Sequence, residues 1–118
     1  MKVYIKINSV CMELYKCGVR TGDCFEAVYS ASNKSYRFIS PDNTECVIWS
    51  SGCDEVSEID YHLMLINKDL KKATEKRDKK SIFEVNEKAK YLDLELASDN
   101  VFYNYEMLVE SSNKVLYS

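Results

Sequence analysis

Apolar and polar residues alternate along several short stretches in the first half of the chain. The first stretch is 3–7, where valine and isoleucine occupy every second position. The same alternation recurs in three later stretches, which are 25–29, 36–39 and 46–49. A period of two is typical of half-buried β-strands, and the short segment CDEV after Gly52 can close the sheet. The pattern therefore predicts five short strands before Ser57, as in a small barrel or sandwich.

The connections between these strands differ in length. Residues 8–23 form a long first connection with two glycines, whereas the later strands are joined by short polar turns such as SPDNTE. A long first connection followed by hairpin-linked strands matches an SH3-like five-stranded β-barrel, in which closure would remove exposed sheet edges. We expect this barrel to form a first domain over residues 1–56.

From Ser57 onward the apolar residues recur at alternating spacings of four and three. One such stripe consists of Ile59, Leu63, Ile66, Leu70 and Ala73, and a second of Ile82, Val85, Ala89, Leu92 and Leu96. This spacing is heptad-like and predicts amphipathic helices. Ser57 and Ser81 each begin a Ser-x-x-acid capping box. The prediction is an α+β protein in which an antiparallel helical hairpin, over 57–118, packs on the barrel or on a partner.

The segment VFYNYEMLV at 101–109 fits two structures. Its apolar residues alternate as in a strand, but Val101, Tyr105 and Leu108 also share one helical face. Helix is favoured because the preceding segment is helical and no glycine or proline flanks the stretch.

Charge and hydropathy limit the cellular setting. Hydrophobic residues make up 46% of the chain and charged residues 30%, which is typical of a globular protein. No apolar run approaches the roughly 20 residues that a membrane span needs, and the alternating N-terminus is unlike a secretion signal. A cytoplasmic protein without membrane contact is expected. The formal net charge of −3 disfavours nucleic acid as the main partner.

The five cysteines show no C-x-x-C pair, which structural zinc sites usually contain. They are Cys11, Cys17, Cys24, Cys46 and Cys53. Reduced thiols in a reducing compartment are expected. A Cys17–Cys24 or Cys46–Cys53 bridge stays open for an oxidising medium.

The sequence predicts no enzyme, metal site or cofactor site. His62 is the single histidine, and catalysis by it would need a nucleophile and an orienting group nearby. None of the cysteines falls at a predicted helix start, where a thiol would be activated. The three glycines are scattered, so no phosphate-binding loop is formed.

Two groups of side chains are candidates for binding a macromolecule. The partner-binding candidates are Tyr91, Phe102, Tyr103 and Tyr105, because aromatic residues are enriched in interface hot spots. The nucleic-acid candidates are Lys71, Lys72, Lys76 and Arg77, which belong to a locally basic segment. The aromatic group could instead be core, and the basic group could be a solvated helix end with i,i+4 ion pairs.

The first half also resembles a known group of proteins. Its segments KVYIKINS, GDCFEAVY and YRFISPDNTECVIWSS are similar to small SH3-like domains in short early proteins of large virulent tailed phages. The resemblance covers about half of the chain and carries no catalytic residues. It implies a phage protein that is made in a bacterial cytoplasm and acts on a host component.

These observations predict a non-enzymatic phage protein that binds and modulates or inhibits a bacterial host protein. A host defence system is one such target, as for anti-CRISPR-type proteins. The alternatives are a nucleic-acid-binding module that uses the basic segment, and a structural virion component. Homodimerisation through the heptad-like stripes is a further expectation.

Overall fold

The computed structural model describes residues 2–118 and shows a mixed α+β protein. A five-stranded antiparallel sheet and four α-helices make up the described residues. The chain divides into two compact units, the first ending at Tyr61 and the second comprising His62–Ser118. The mixed class and the five strands confirm the prediction from the alternating pattern.

The sheet of the first unit has the strand order β4-β3-β2-β1-β5. Its strands are β1 (Lys2–Ile7), β2 (Cys24–Ser30), β3 (Ser35–Ile39), β4 (Glu45–Trp49) and β5 (Cys53–Val56). In β1, which lies between β2 and β5, Ile5 pairs with Phe25 on one side and with Glu55 on the other. The sheet is open, since β4 and β5 lie at its edges, and the described pairings do not close it into the predicted barrel.

One face of the sheet carries the core of the first unit. Ile5 and Ile7 are completely buried there, together with Ala27, Phe38 and Ile48. Their positions follow the period of two, because alternate side chains of a strand point to opposite faces. The alternation in the sequence therefore encodes which face is apolar and buried.

The long connection between β1 and β2 contains a helix that the sequence pattern did not predict. This helix, α1 (Met12–Lys16), has five residues and one buried side chain, Leu14. A single buried position gives no detectable helical period. Gly18 follows with a φ of +92°, and a Cβ at this position would lie 3.3 Å from the Pro41 Cβ. Both the left-handed backbone and the close approach to Pro41 favour glycine.

Helix α2 (Glu58–Glu75) begins at the cap that the sequence predicts. The Asp60 backbone N–H donates a hydrogen bond of 3.2 Å to the Ser57 side-chain oxygen. This bond satisfies one of the free N–H groups of the first turn. Farther along the helix, the stripe from Leu63 to Ala73 is buried as predicted.

The second predicted cap is wrong. Helix α3 (Lys79–Ala89) begins before Ser81, and its N-cap is Asp78. The Asp78 carboxylate accepts the Ser81 N–H at 3.2 Å and the Ser81 hydroxyl at 2.8 Å. Asp78 adopts the extended backbone that a cap requires, and its carboxylate accepts a hydrogen bond from the helix N–H better than a hydroxyl does.

We expect Asp78→Ala to weaken the start of α3. Hydrogen bonds from Ser81 hold the pKa of the Asp78 carboxyl below its usual value, so its stabilising effect is present above about pH 4 and is lost as the pH falls below this. The melting temperature of the variant should be a few degrees lower at pH 7. Thermal unfolding followed by circular dichroism at pH 7 and pH 3 measures this. An equal difference between wild type and variant at both pH values would contradict the capping role.

The predicted second stripe is only partly helical. Ile82, Val85 and Ala89 are buried in α3, but the helix ends at Ala89. Leu96 lies beyond it in a 3-10 turn and is 68% exposed. The stripe therefore contributes its first three residues to the helix core.

Helix α4 (Asp99–Leu116) confirms the helical interpretation of residues 101–109. It buries Val101, Ser112 and Val115 in the core that α2 and α3 also form. The Ser112 hydroxyl donates to the Val109 carbonyl at 2.9 Å, which satisfies this polar group inside the core. The second unit is thus a bundle of three helices with one core. Across residues 2–118, no helix combines the length and apolarity that a membrane span requires.

Candidate functional site

The outer face of α4 carries a line of exposed side chains, which we call the α4 stripe. It consists of Tyr103, Met107, Glu110 and Lys114 within the helix and of Tyr117, the C-cap residue that directly follows it. Spacings of four and three residues place these side chains along one side of the helix. Tyr103 is 62% exposed, Met107 50% and Tyr117 85%. The stripe combines large apolar groups with one acidic and one basic side chain.

The position of the α4 stripe follows from the residues that α4 buries. Val101, Ser112 and Val115 lie in the core. Projected along the helix axis, Val101 and Ser112 lie about half a turn from Tyr103, and Val115 lies about a third of a turn from it. Burial of one side of the helix therefore directs Tyr103 and Met107 away from the core of the second unit. Met107 was absent from the sequence candidates, although its position one turn after Tyr103 was visible in the sequence.

The structure separates the predicted aromatic group into exposed and packed members. Phe102 and Tyr105 are half-buried, and their ring centroids lie 6.4 Å apart. Tyr105 packs against the core of the second unit, and burial raises the pKa of its phenol. These two rings therefore contribute to the packing of α4.

Tyr91 is the most exposed of the predicted aromatic residues, at 89%. It lies in the turn after α3, and its backbone N–H donates to the Lys88 carbonyl at 3.3 Å. Its ring is accessible to a partner, but it belongs to a different element from Tyr103.

The four basic candidates are all exposed. A groove of about 290 Å³ is lined by Lys72, Lys76 and Lys88, but also by Asp69, Asp78 and Glu84. Positive and negative groups are equal in number there, so the groove does not concentrate positive charge for phosphate. The Asp78 carboxylate also occupies the N-terminus of α3, where an anion would otherwise bind.

The sheet of the first unit has a second exposed apolar group that the sequence analysis did not select. Val28, Ile39 and Val47 lie on the face opposite the core and are 43–54% exposed. They alternate with the buried Ala27 and Phe38, so the same period of two that predicts the core also predicts this face.

Two ion pairs flank these apolar residues on the sheet. Lys2 Nζ lies 3.6 Å from Glu26, and an Arg37 nitrogen lies 3.8 Å from Glu45. All four residues line a groove of about 340 Å³ on this face. Both pairs are largely exposed, so each contributes little to stability.

All five cysteines lie in the first unit, whereas His62 lies in the second. The five cysteines all fall within the described residues, and none of them is in a disulfide. Burial raises the pKa of Cys53 to about 11, which disfavours the nucleophilic thiolate. His62 is half-buried in α2. No group of three or more potential metal-binding side chains occurs among residues 2–118.

These features define a mixed α+β protein with two compact units and an exposed, partly aromatic helix face as its candidate site. No protein-family model, no curated protein and no solved structure matches the chain. The resemblance of the first half to phage proteins therefore stays a prediction.

Proposed function

We propose that the protein is a non-enzymatic phage protein that binds a bacterial host protein through the α4 stripe and thereby modulates or inhibits it. The observation that carries this proposal is the exposure of Tyr103 and Met107 on one side of α4. Tyrosine and methionine are both enriched in protein interfaces relative to the rest of the surface. A partner that covered the α4 stripe would remove the apolar surface of Tyr103 and Met107 from water.

The charges on the α4 stripe suit a protein partner. Glu110 lies three residues after Met107, Lys114 lies four residues after Glu110, and both are exposed. Charged groups at the rim of an interface select the partner and its orientation more than they add affinity. The protein would act by occupying a functional surface of the bound partner, which is a steric mechanism and needs no catalytic group.

For the first unit we propose an SH3-like domain with a strongly coiled sheet. The long connection between β1 and β2 and the 3-10 turn Ser50–Gly52 between β4 and β5 support this assignment. So does a hydrogen bond of 2.7 Å from the Tyr36 hydroxyl in β3 to Glu55 in β5. These strands are not neighbours in the sheet, so the sheet must curve for the two side chains to meet.

A nucleic-acid-binding module is the second candidate function. It would use Lys71, Lys72, Lys76 and Arg77, which are accessible. The equal numbers of acidic and basic groups in the adjoining groove favour the protein partner instead. Binding to nucleic acid should weaken steeply with salt because counterions are released. A structural virion component would instead be recovered in purified phage particles.

The double variant Tyr103→Ala/Met107→Ala is expected to lose the host partner. Truncation of one hot-spot residue costs about 2 kcal/mol or more, which corresponds to about 30-fold in affinity, so the loss of both side chains should weaken binding by at least about 30-fold. The measurement is quantitative mass spectrometry of proteins captured by wild type and variant from bacterial lysate with and without nuclease treatment. The captured protein is then purified and titrated against both by calorimetry.

Phe83→Ala is the matched control for this variant. Phe83 is 60% exposed on α3, so its truncation removes a similar exposed apolar side chain from a different helix. It should bind the partner as wild type does. Equal loss in both variants, or capture that disappears with nuclease treatment, would contradict the proposal.

A further inference from the structure

Carboxylates follow one side of the α4 stripe, in a line that we call the acidic row. Its members are Asp99, Glu106 and Glu110, and all three are exposed. With 3.6 residues per helical turn, they project between about 20° and about 60° from Tyr103 in the same direction around the helix. The acidic row therefore runs beside Tyr103 and Met107 for about three turns of α4.

The opposite side of the α4 stripe is polar but uncharged. It carries Asn100, Asn104 and Ser111, which are exposed and project about 60° to 100° from Tyr103 in the other direction. Carboxylates thus line one side of the exposed apolar groups, and amides and a hydroxyl line the other. A partner that covers Tyr103 and Met107 meets negative charge on one side only.

The negative charge of the chain is concentrated in this region. Residues 91–118 contain five acidic residues and one basic residue, Lys114. The two acidic residues outside α4, Asp93 and Glu95, are also exposed. The whole chain has a formal net charge of −3, so the residues before 91 are almost neutral in total. A positively charged surface is therefore attracted to the α4 region more than to the rest of the chain.

We infer that the host-protein surface that covers the α4 stripe is basic, with arginine or lysine side chains that face the acidic row. This inference deepens the proposed function and rests on it. Apolar contact with Tyr103 and Met107 supplies affinity, while the charge pairs accelerate association and fix the orientation of the partner. Because the acidic row occupies one side of the stripe, the basic groups of the partner also lie on one side of its apolar strip.

A second copy of the chain does not supply such a surface through its own α4. Lys114 is the only basic residue of that helix, so one lysine would meet the three carboxylates of the acidic row. Like charges that face each other across an interface cost affinity. Charge complementarity therefore selects a different protein, with a basic surface, as the occupant.

The probe for this inference is a synthetic helical peptide of the same length as α4, which has 18 residues. It carries a leucine stripe with arginines along one side, and a second peptide has glutamate in place of each arginine. Each peptide is titrated into the isotope-labelled full chain at about 0.15 M salt, and amide signals are followed by NMR. Signals of residues 99–117 should shift, and the arginine peptide should bind at least about tenfold more tightly than the glutamate peptide.

Charge reversal within the acidic row tests where the peptide binds. Glu106→Lys/Glu110→Lys retains Asp99, the acidic residue in the first turn of α4. This variant should bind the arginine peptide at least about tenfold more weakly, because two attractive charge pairs become repulsive. Circular dichroism melting curves check that the variant is folded.

Glu75→Lys/Glu84→Lys is the matched control for charge reversal. It changes the net charge by the same amount at exposed positions on α2 and α3. Its affinity for the arginine peptide should stay within about twofold of wild type, because salt screens exposed charges that are distant from the peptide.

Several results would overturn the inference. They are the absence of shifts at residues 99–117 with the arginine peptide, equal affinity for the two peptides, and equal losses in the two charge-reversal variants. Self-association of the chain that shifts the same signals without peptide would assign the acidic row to the basic segment of a second copy, and would also overturn the inference.

The captured host protein separates this inference from the proposed function. If that protein is lost with Tyr103→Ala/Met107→Ala but binds Glu106→Lys/Glu110→Lys as it binds wild type, the proposed function stands and the basic surface is refuted. If no host protein depends on Tyr103 and Met107 for capture, the proposed function itself fails, whatever the affinity for the arginine peptide.

Discussion

Replacement of Leu70 by alanine should lower the free energy of unfolding of the second unit by about 3 kcal/mol. Leu70 is completely buried in the core that α2, α3 and α4 form, and it lies between Ile66 and Ala73 on the buried side of α2. Truncation removes buried apolar surface and leaves a cavity, because the three helices can relax only partly. Denaturant unfolding followed by circular dichroism at 222 nm measures the change.

Leu96→Ala provides a matched control in the same unit. The chemical change is identical, but Leu96 is 68% exposed in the 3-10 turn before α4. With this substitution the free energy of unfolding of the second unit should change by less than about 0.5 kcal/mol. Similar losses for the two leucines would show that the burial of Leu70 is not what stabilises the unit.

Tyr36→Phe should change how the stability of the first unit depends on alkaline pH. Burial of the ring, and then its hydrogen bond to Glu55, raise the pKa of Tyr36 far above the usual tyrosine value. The folded state therefore retains the phenol proton where the unfolded state loses it. The resulting stabilisation is complete below about pH 10 and decreases as the pH rises further, by at most about 1.4 kcal/mol per pH unit.

The variant has no phenol at this position and should lack this part of the alkaline destabilisation. At pH 7 it should be less stable than wild type by about 1 kcal/mol, because the hydrogen bond to Glu55 is lost. The difference in free energy of unfolding between wild type and variant should become smaller above pH 10. Urea unfolding at pH 7, 10 and 11 tests this, with Tyr15→Phe as the control, since Tyr15 is 54% exposed. A difference that stays constant with pH would refute the role assigned to the Tyr36 proton.

The sequence predicted the parts of the fold that local patterns determine. The alternation at 3–7 and 25–29 identified strands, and the spacing from Leu63 to Ala73 identified the buried side of α2. The Ser57 cap was also found, because its hydrogen bond to Asp60 depends on residues three apart. Each of these features depends on interactions within a few neighbouring residues.

Other features depended on interactions that a periodic pattern does not report. Closure of a sheet requires pairing between its edge strands, here β4 and β5. The alternation of apolar and polar residues within each strand does not report such pairing. Helix α1 buries only Leu14, so it has no apolar stripe to detect. The start of α3 was misplaced because Asp78 and Ser81 are both residue types that cap helices. The cap is Asp78, the residue that adopts the extended backbone.

The candidate site stays a prediction, and the sequence describes its composition better than its position. The concentration of aromatic residues in the second half is visible in the sequence, but the direction of each ring depends on which side of the helix is buried. Val101 and Tyr105 share a face in the sequence pattern, and that face is the packed one. Tyr103 and Met107 are exposed because they lie on the other side of the helix.

The division between the two units falls inside α2, and this determines how the protein can be cut into fragments. Tyr61 belongs to the first unit, where its ring lies 4.5 Å from that of Tyr4. A fragment that stops at Val56 would lose this ring pair and expose the outer side of Tyr4. A fragment that stops at Tyr61 would retain the pair on a single helical turn, which is unstable alone in water. An isolated sheet for crystallisation or NMR should therefore extend several residues into α2 and replace Leu63 and Ile66 with polar residues, so that the added turns stay soluble.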